Sequence, residues 1–418
     1  MEKLQFILMS IFIGGFFSAQ ESITLNDAYS LARQNYPLIK RHGLIAKTKQ
    51  YNVENATKGW LPQINVVAQA TYQNEVTELP IKLPNVMIEP VSKDQYKAFA
   101  DVQQTIYDGR MISNQKKMAE INSQIETQKT EVETDKLEER INQIYFGALQ
   151  TEEQLEQTEL TKSDLHNALK RAESQLKNGV ILRSNVDVVK AQLINLEQKQ
   201  IELQNVKKSF LDMLSVFINK QLNENTKLEK PEKILVGNQN NRAELKLFDL
   251  QKSALETQKS IINSKNLPKL GAFLQGGYGK PGFNMLKNEF DAFFLGGVRL
   301  NIPITGYYTK KNDLALLDIQ QQEIDVQREN FLFNQQFQTI QNNNELDKIQ
   351  KLIDKDLELI TLRENIRKAS LAQLENGVIT TSDYLREVNE LDRAQNQKIL
   401  HEIQFLLTQY NLKAQLNN

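Results

Sequence analysis

The sequence predicts a mainly α-helical protein with a β-barrel part, built as two tandem repeats, each a long coiled-coil helical hairpin plus a pair of strands. The first observation is self-similarity. QLKNGVILRSN at 175–185 returns 198 residues later as QLENGVITTSD at 373–383, with seven of eleven positions identical. Two shorter matches keep the same order: GWLPQI (59–64) with KNLPKL (265–270), and TIYDGR (105–110) with IPITGY (302–307). Collinear matches of this kind mark an internal duplication. The second observation is that all nine prolines avoid 91–230 and 304–418, and proline is what long helices exclude. The third is a strict alternation of apolar and polar residues in two places per repeat, the period of a strand.

Composition narrows the function classes. Across 418 residues, 51 Lys+Arg balance 52 Asp+Glu for a net charge of -1, so no net field draws in nucleic acid. No cysteine is present, which removes disulfides, thiolate nucleophiles, Cys-based zinc sites and a lipid-bearing N-terminal Cys. His42, His166 and His401 are the only histidines. No nucleophile, base and orienter form a set, and no phosphate loop is present, so the expectation is a non-enzyme with no cofactor and no metal.

In chain order, residues 1–19 read as a signal peptide: Lys3, an apolar run from Phe6 to Phe17, then Ser18, Ala19 and Gln20 at the cut. A membrane anchor is the other reading of this segment. No later run approaches the roughly 18–20 apolar residues of a membrane-spanning helix. The first repeat is expected over 20–218: a helix, strands at 63–78 and 95–107, and a helical hairpin with its tip near 179. An inter-repeat linker covers 219–241. The second repeat, 242–418, follows the same plan, with strands at 269–279 and 289–302 and a tip near 377. Gly109 to Gly179 spans 70 residues and Gly306 to Gly377 spans 71, each about 105 Å of rod at 1.5 Å per residue. After the first tip, Val186, Val189, Leu193, Leu196, Leu203, Phe210, Leu214 and Phe217 form a heptad seam. Val388, Leu391, Ile399, Ile403, Leu406 and Tyr410 continue the theme in the last helix, and Leu352, Leu359 and Ile366 lie seven apart on the outgoing rod.

In the strands, Ile64, Val66, Ala68, Ala70 and Tyr72 oppose Asn65, Gln69, Thr71 and Gln73, and Phe290, Ala292, Phe294, Val298, Leu300 and Ile302 oppose Asp291, Arg299 and Asn301. This is the pattern of a transmembrane β-barrel wall; an amphipathic sheet packed on soluble helices is the alternative. Four strands are too few to close a barrel, so several chains would contribute. Tyr72, Tyr96, Phe290 and Phe293 read as interfacial or lipid-facing aromatics, or as strand filler. The Gln- and Asn-rich stretch 320–344 reads as a channel lining or a solvated helix face.

SLARQNYPLIK near the start, KGWLPQI before the first strand pair, YDG at 107–109, IPIT-G at 302–306 and the paired NGVI turns at 178–181 and 376–379 together resemble the TolC-like outer membrane efflux proteins (outer membrane factors). The resemblance covers nearly all of the chain after the signal. It implies a homotrimer whose twelve strands close a β-barrel in outer-membrane lipid, continued as an α-helical barrel in the periplasm of a Gram-negative cell. It also implies a passive exit duct in a tripartite efflux or type I secretion system, with a periplasmic adaptor protein as partner and an inner-membrane pump reached through it. A periplasmic adaptor or a structural coiled-coil protein of the cell envelope is the alternative, and two hairpins rather than one speak against the adaptor.

The Asn-Gly pairs are helix-ending turns, and the resemblance makes the tips, Asn178, Gly179, Val180 and Asn376, Gly377, Val378, candidates for adaptor docking. It also sets Asp383 where an acid of the periplasmic aperture ring belongs, with Arg386 in place of the ring's second acid and Ile379 in place of a basic latch residue. The other reading of Asp383 is a first-turn carboxylate that favours the helix start together with Thr380. Glu387 is expected to face away from the lumen.

Overall fold

A computed structural model describes residues 22–77, 90–237 and 239–416. The expected signal peptide at 1–19 and most of the first inter-strand loop lie outside the described residues. Strand β1 (Ser22–Ile23) leads into α1 (Leu25–Asn35), whose start is a capping box: Thr24 Oγ1 accepts from the Asp27 amide at 3.1 Å, and the Asp27 carboxylate accepts from Thr24. Its buried face is Leu25, Ala28 and Ala32, and it stops where Pro37 disfavours a helical predecessor. Then come α2 (Lys40–Thr57), β2 (Gln63–Tyr72), β3 (Asp94–Tyr107), α3 (Met111–Lys177), α4 (Arg183–Ile218), β4 (Lys227–Leu228), α5 (Ala243–Lys265), β5 (Lys269–Lys280), β6 (Asp291–Asn301), α6 (Tyr307–Glu375) and α7 (Thr381–Leu416).

The YDG motif starts the first rod by two physical devices. Asp108, buried, accepts hydrogen bonds from the amides of Arg110 at 2.8 Å and Ile112 at 2.5 Å, filling the role of an N-terminal cap. Gly109 has φ 70°, and a Cβ there would stand 2.9 Å from Leu267 Cβ and 3.0 Å from the Ser264 carbonyl oxygen. Both the conformation and the space exclude a side chain. The rods themselves run 67 residues in α3 and 69 in α6.

The chain divides into two compact units that cut across the two repeats. One unit comprises residues 40–132 and 243–333: α2, the four strands, α5 and the proximal parts of α3 and α6. Its sheet has the order β2-β3-β5-β6, antiparallel throughout. Rows such as Ile64–Val102–Leu274–Gly296 and Val66–Ala100–Gly276–Phe294 run straight across it, so the apolar sets of all four strands share one face. That face is uncovered: Val66 is 81% exposed, Phe294 79% and Tyr72 74%. β2 ends at Tyr72, short of the expected 78, and Asn74, polar where the next apolar residue would fall, breaks the alternation there. Phe293 is also corrected. It pairs with Gly277, which pairs with Phe99, and so lies on the polar face with Asp101, Gln275 and Arg299.

The other unit, residues 22–39, 133–242 and 334–416, contains the main core. Leu137, Ile141, Tyr145 and Phe146 of α3, Leu211, Leu214 and Ile218 of α4, and Ile403, Leu406 and Tyr410 of α7 close around Ala28 and Ala32 of α1. The 219–241 segment joins this core through β4, which pairs in parallel with β1. The Tyr145 hydroxyl, fully buried, sits 2.7 Å from the Ile23 carbonyl and 2.8 Å from that of Glu229.

The α4 seam holds as expected at Val186, Val189, Leu193, Leu196 and Leu214. Leu211 and Ile218 are more deeply buried than the neighbouring seam residues Phe210 and Phe217, which pack partly buried against the core. A straight helix drifts about 20° per heptad, so over three heptads the buried stripe moves about 60° toward the next residue. On α6, Leu352, Leu359 and Ile366 stay exposed while Ile349 and Ile353 pack on Phe405. In the Gln/Asn stretch, Gln335 is buried, bonded to Asn240 and to the Gln415 carbonyl. It is a core amide, neither lining nor solvated. Among the described residues no helix is long and apolar enough to cross a membrane.

Candidate aperture and hairpin tips

Both tips end their rods with the same hydrogen bonds. Val180 N–H donates to the Gln175 carbonyl at 2.9 Å and Gly179 N–H to Leu176 at 3.0 Å; in the second repeat Val378 donates to Gln373 at 2.8 Å and Gly377 to Leu374 at 3.0 Å. These are Schellman motifs, with Gly179 at φ 69° and Gly377 at φ 71°. Asn178 and Asn376 are the last residues before the glycines, and the Asn376 side chain donates to the Ala372 carbonyl at 2.8 Å. Val180 and Val378 are about 70% exposed, apolar side chains presented to solvent at a turn.

The helices that leave the tips start differently. α4 begins at Leu182 with no side-chain cap, whereas Thr380 and Asp383 form a full capping box on α7. Thr380 Oγ1 donates to the Asp383 carboxylate at 2.7 Å and accepts from the Asp383 amide at 3.2 Å. The Thr380 hydroxyl, then its amide, and the Arg386 charge 3.9 Å away hold the Asp383 carboxyl below the usual carboxylate range. The helix-start role of Asp383 is thus visible in the geometry of one chain.

Beyond Asp383 the two sides of α7 divide by chemistry. Its apolar side, Tyr384, Leu385 and Val388, packs on Leu165 of α3 and on Val189, Leu193 and Leu196 of α4. Its charged side meets α6: Arg363 reaches Glu387 at 3.3 Å and Glu390 at 3.1 Å. Glu387, with its side chain only 16% exposed and Arg386 Nε 3.4 Å away, is a clasp residue rather than an idle one. Arg367 of α6 reaches Asp164 of α3 at 3.3 Å, and Arg171 reaches Glu375 at 2.9 Å. Lower on α7, Asp392 accepts from Thr161 at 2.8 Å and pairs with Lys199 at 3.3 Å. His401 Nδ1 lies 2.6 Å from Asp356 Oδ2, both buried between α7 and α6.

Sequence reasoning missed Arg363, Arg367 and the buried His401–Asp356 pair. A faint signal existed for the first: Arg363/Arg367 and Glu387/Glu390 have the one-turn spacing that aligns like charges on one helix face. Among the described residues no group of three or more His, Cys, Asp or Glu is placed to hold a metal ion.

Residues 28–214 match the sequence pattern of the outer membrane efflux protein family. No curated protein matches the sequence significantly. Among solved structures, the fold is similar to VceC, an outer membrane protein of Vibrio cholerae (15% identity, 94% of this chain and 96% of that one, TM-score 0.67). It is also similar to the CmeC outer membrane channel of Campylobacter jejuni (11%, 94% and 85%, TM-score 0.65). A third match is the open state of the MtrE outer membrane channel of Neisseria gonorrhoeae (12%, 94% and 89%, TM-score 0.67). The resemblance to TolC-like proteins therefore holds in sequence over the first repeat and in fold over nearly the whole chain.

Proposed function

We propose that this chain, TolC-like in sequence over its first repeat and in fold over nearly all its length, is the outer-membrane channel of an efflux or type I secretion system. The observation that carries the reading is the sheet. Its apolar face is uncovered, and its outer strands β2 and β6, 10 and 11 residues long, each have one edge with no partner among the described residues. That length fits a tilted membrane-spanning strand, and lipid tolerates no open strand edge. Further copies of the chain resolve both demands at once, β6 of one pairing with β2 of the next until the barrel closes. Three copies supply twelve strands. The exposed heptad line Leu352, Leu359 and Ile366 offers a second surface for the neighbouring copy.

In this duct cargo passes down its own gradient or is driven by a pump elsewhere, and the chain's own work is to line the path and open at the tips. The exposed Val180 and Val378 suit docking of a periplasmic adaptor, which would connect the duct to an inner-membrane pump. Detergent-extracted protein from outer-membrane fractions should run as a trimer by light scattering. Recovery as a soluble monomer without detergent would overturn the reading.

A further inference from the structure

Each face of the sheet carries an aromatic cluster at the end away from the helices. On the apolar face, Phe290 stacks on Tyr278 (ring centroids 5.9 Å, 6°) and lies 6.3 Å from Tyr96. This is the arrangement of a lipid-interface anchor. On the polar face, Phe99 and Phe293 lie 6.2 Å apart, and Phe283 packs edge-on against Phe293 at 4.8 Å. Phe283 belongs to no strand. It sits in the connection 281–290 between β5 and β6, so this connection leans over the polar side of the sheet.

The connection is fastened there. Asn288 Oδ1 accepts from the Ser92 amide at 3.0 Å, just before β3. Asn284 accepts from the amides of Leu286 and Lys287, each at 3.1 Å, which turns the chain back on itself. Gly282 passes so near β6 that a Cβ would stand 3.1 Å from Asp291 Cβ. Beneath the rings, a Cβ at Gly277 would collide with Ala98 O and Phe99 Cβ, and one at Gly279 would touch Phe293. The strand is bare where the rings lie.

In a barrel the polar face lines the lumen. Resting on the channel reading above, we infer that Phe283, held by Phe293 and the Asn288–Ser92 tie, is a pore-lining constriction residue at the external mouth. An apolar ring left 54% exposed, carried on Phe293 above the face that holds Lys97, Asp101, Gln275 and Arg299, narrows the path and presents a dewetting surface to ions.

The chain's lack of cysteine makes the test direct. Full-length protein with Phe283→Cys is inserted in a planar bilayer and treated with a bulky charged methanethiosulfonate, with Phe290→Cys as the apolar-face control. Single-channel current should fall stepwise in Phe283→Cys and hold steady in Phe290→Cys, and Phe283→Ala should conduct more than the parent. Complete labelling at Phe283→Cys with unchanged current, together with parental conductance in Phe283→Ala, would overturn the inference alone. Absence of any channel from the parent protein would sink the duct reading and the inference with it.

Discussion

The two hairpin tips share a turn and differ in how the returning helix starts and in what it grips. Both rods end in a Schellman motif with glycine near φ 70° and the same two backbone hydrogen bonds. After the turn, Leu182 stands where Thr380 stands and Asn185 where Asp383 stands, so only the second returning helix has a capping box. The difference extends along the helices. Near the first tip, α4 presents an apolar seam of Val189, Leu193 and Leu196. In contrast, α7 gives its apolar side to that same cluster, together with Leu371 and Leu374 of its own outgoing rod, and meets that rod further through Arg363, Glu387 and Glu390. Duplication preserved what a chain reversal demands of the backbone and left free what each hairpin grips. Both hairpins mix packing with charge: Lys190–Glu173 and Lys207–Glu152 join α3 to α4, and Ile349 and Ile353 pack on Phe405 between α6 and α7. Only the second has one arginine gripping two carboxylates of the returning helix, a clasp that salt or a charge substitution can loosen.

The largest expected effect is in the apolar seam of the first hairpin. Leu193→Pro removes a helical hydrogen bond and a buried side chain from the middle of α4, costing roughly 3 kcal/mol or more. Trimer yield should collapse and export should be lost, while protein that does reach the membrane keeps the sheet. Quantitative gel filtration and an efflux assay read both. Retention of trimer and activity would mean that the seam does not hold the hairpin.

Next come the turns. A Cβ at Gly179 or Gly377 meets nothing within 4 Å, so replacement by Ala costs only the left-handed conformation, about 1–2 kcal/mol. The two variants should lose the same stability in denaturant titration. A markedly larger loss at one tip would show that the turns are not equivalent, and weaker adaptor binding at equal stability would point to docking there.

Much of this was legible in the sequence, and the exceptions have identifiable causes. The strand periods, the YDG start and the NGVI turns rest on local chemistry, which a linear reading captures. The α6 stripe did not, because Leu352, Leu359 and Ile366 keep the right spacing while the partner helix packs on Ile349 and Ile353. Spacing finds a stripe but not its partner. Alternation set Phe294 on the apolar face, and the same period puts its neighbour Phe293 on the opposite one, where it joins an aromatic cluster that the linear pattern does not reveal. At the candidate aperture, Asp383 and Thr380 were readable as a local pair, but Arg363 and Glu387 are 24 residues apart in sequence and meet only through the hairpin.

The charged clasp supplies the third test. Arg363→Ala leaves Glu387 and Glu390 facing an apolar stub, and a partly exposed pair is worth about 1 kcal/mol or less after screening. Stability should drop by that much at low salt and converge with the parent at 1 M salt, where the screening length is about 3 Å. In bilayers, Arg363→Ala should open more often than the parent at low salt. Identical salt dependence of the two proteins would assign the hold between α6 and α7 to packing instead.

The smallest effect belongs to Asp383, and it separates the two roles this carboxylate can have. As a helix-start residue its pKa is depressed by Thr380 in the folded chain, so the stability it contributes is present above the unfolded value near 3.9 and is lost as pH falls through the lower folded value. Asp383→Ala should therefore melt below the parent at pH 7 and approach it in strong acid, while Asn185→Ala at the matching place in the uncapped first repeat should show no such pH dependence. If the carboxylate also belongs to an aperture ring, three copies around one axis attract cations and disfavour full ionisation. The substitution should then raise single-channel conductance and weaken block by multivalent cations at neutral pH. Lowered melting with parental conductance and block would leave Asp383 as the cap of α7 alone, and Arg363 with its two glutamates would become the leading place to look for the gate.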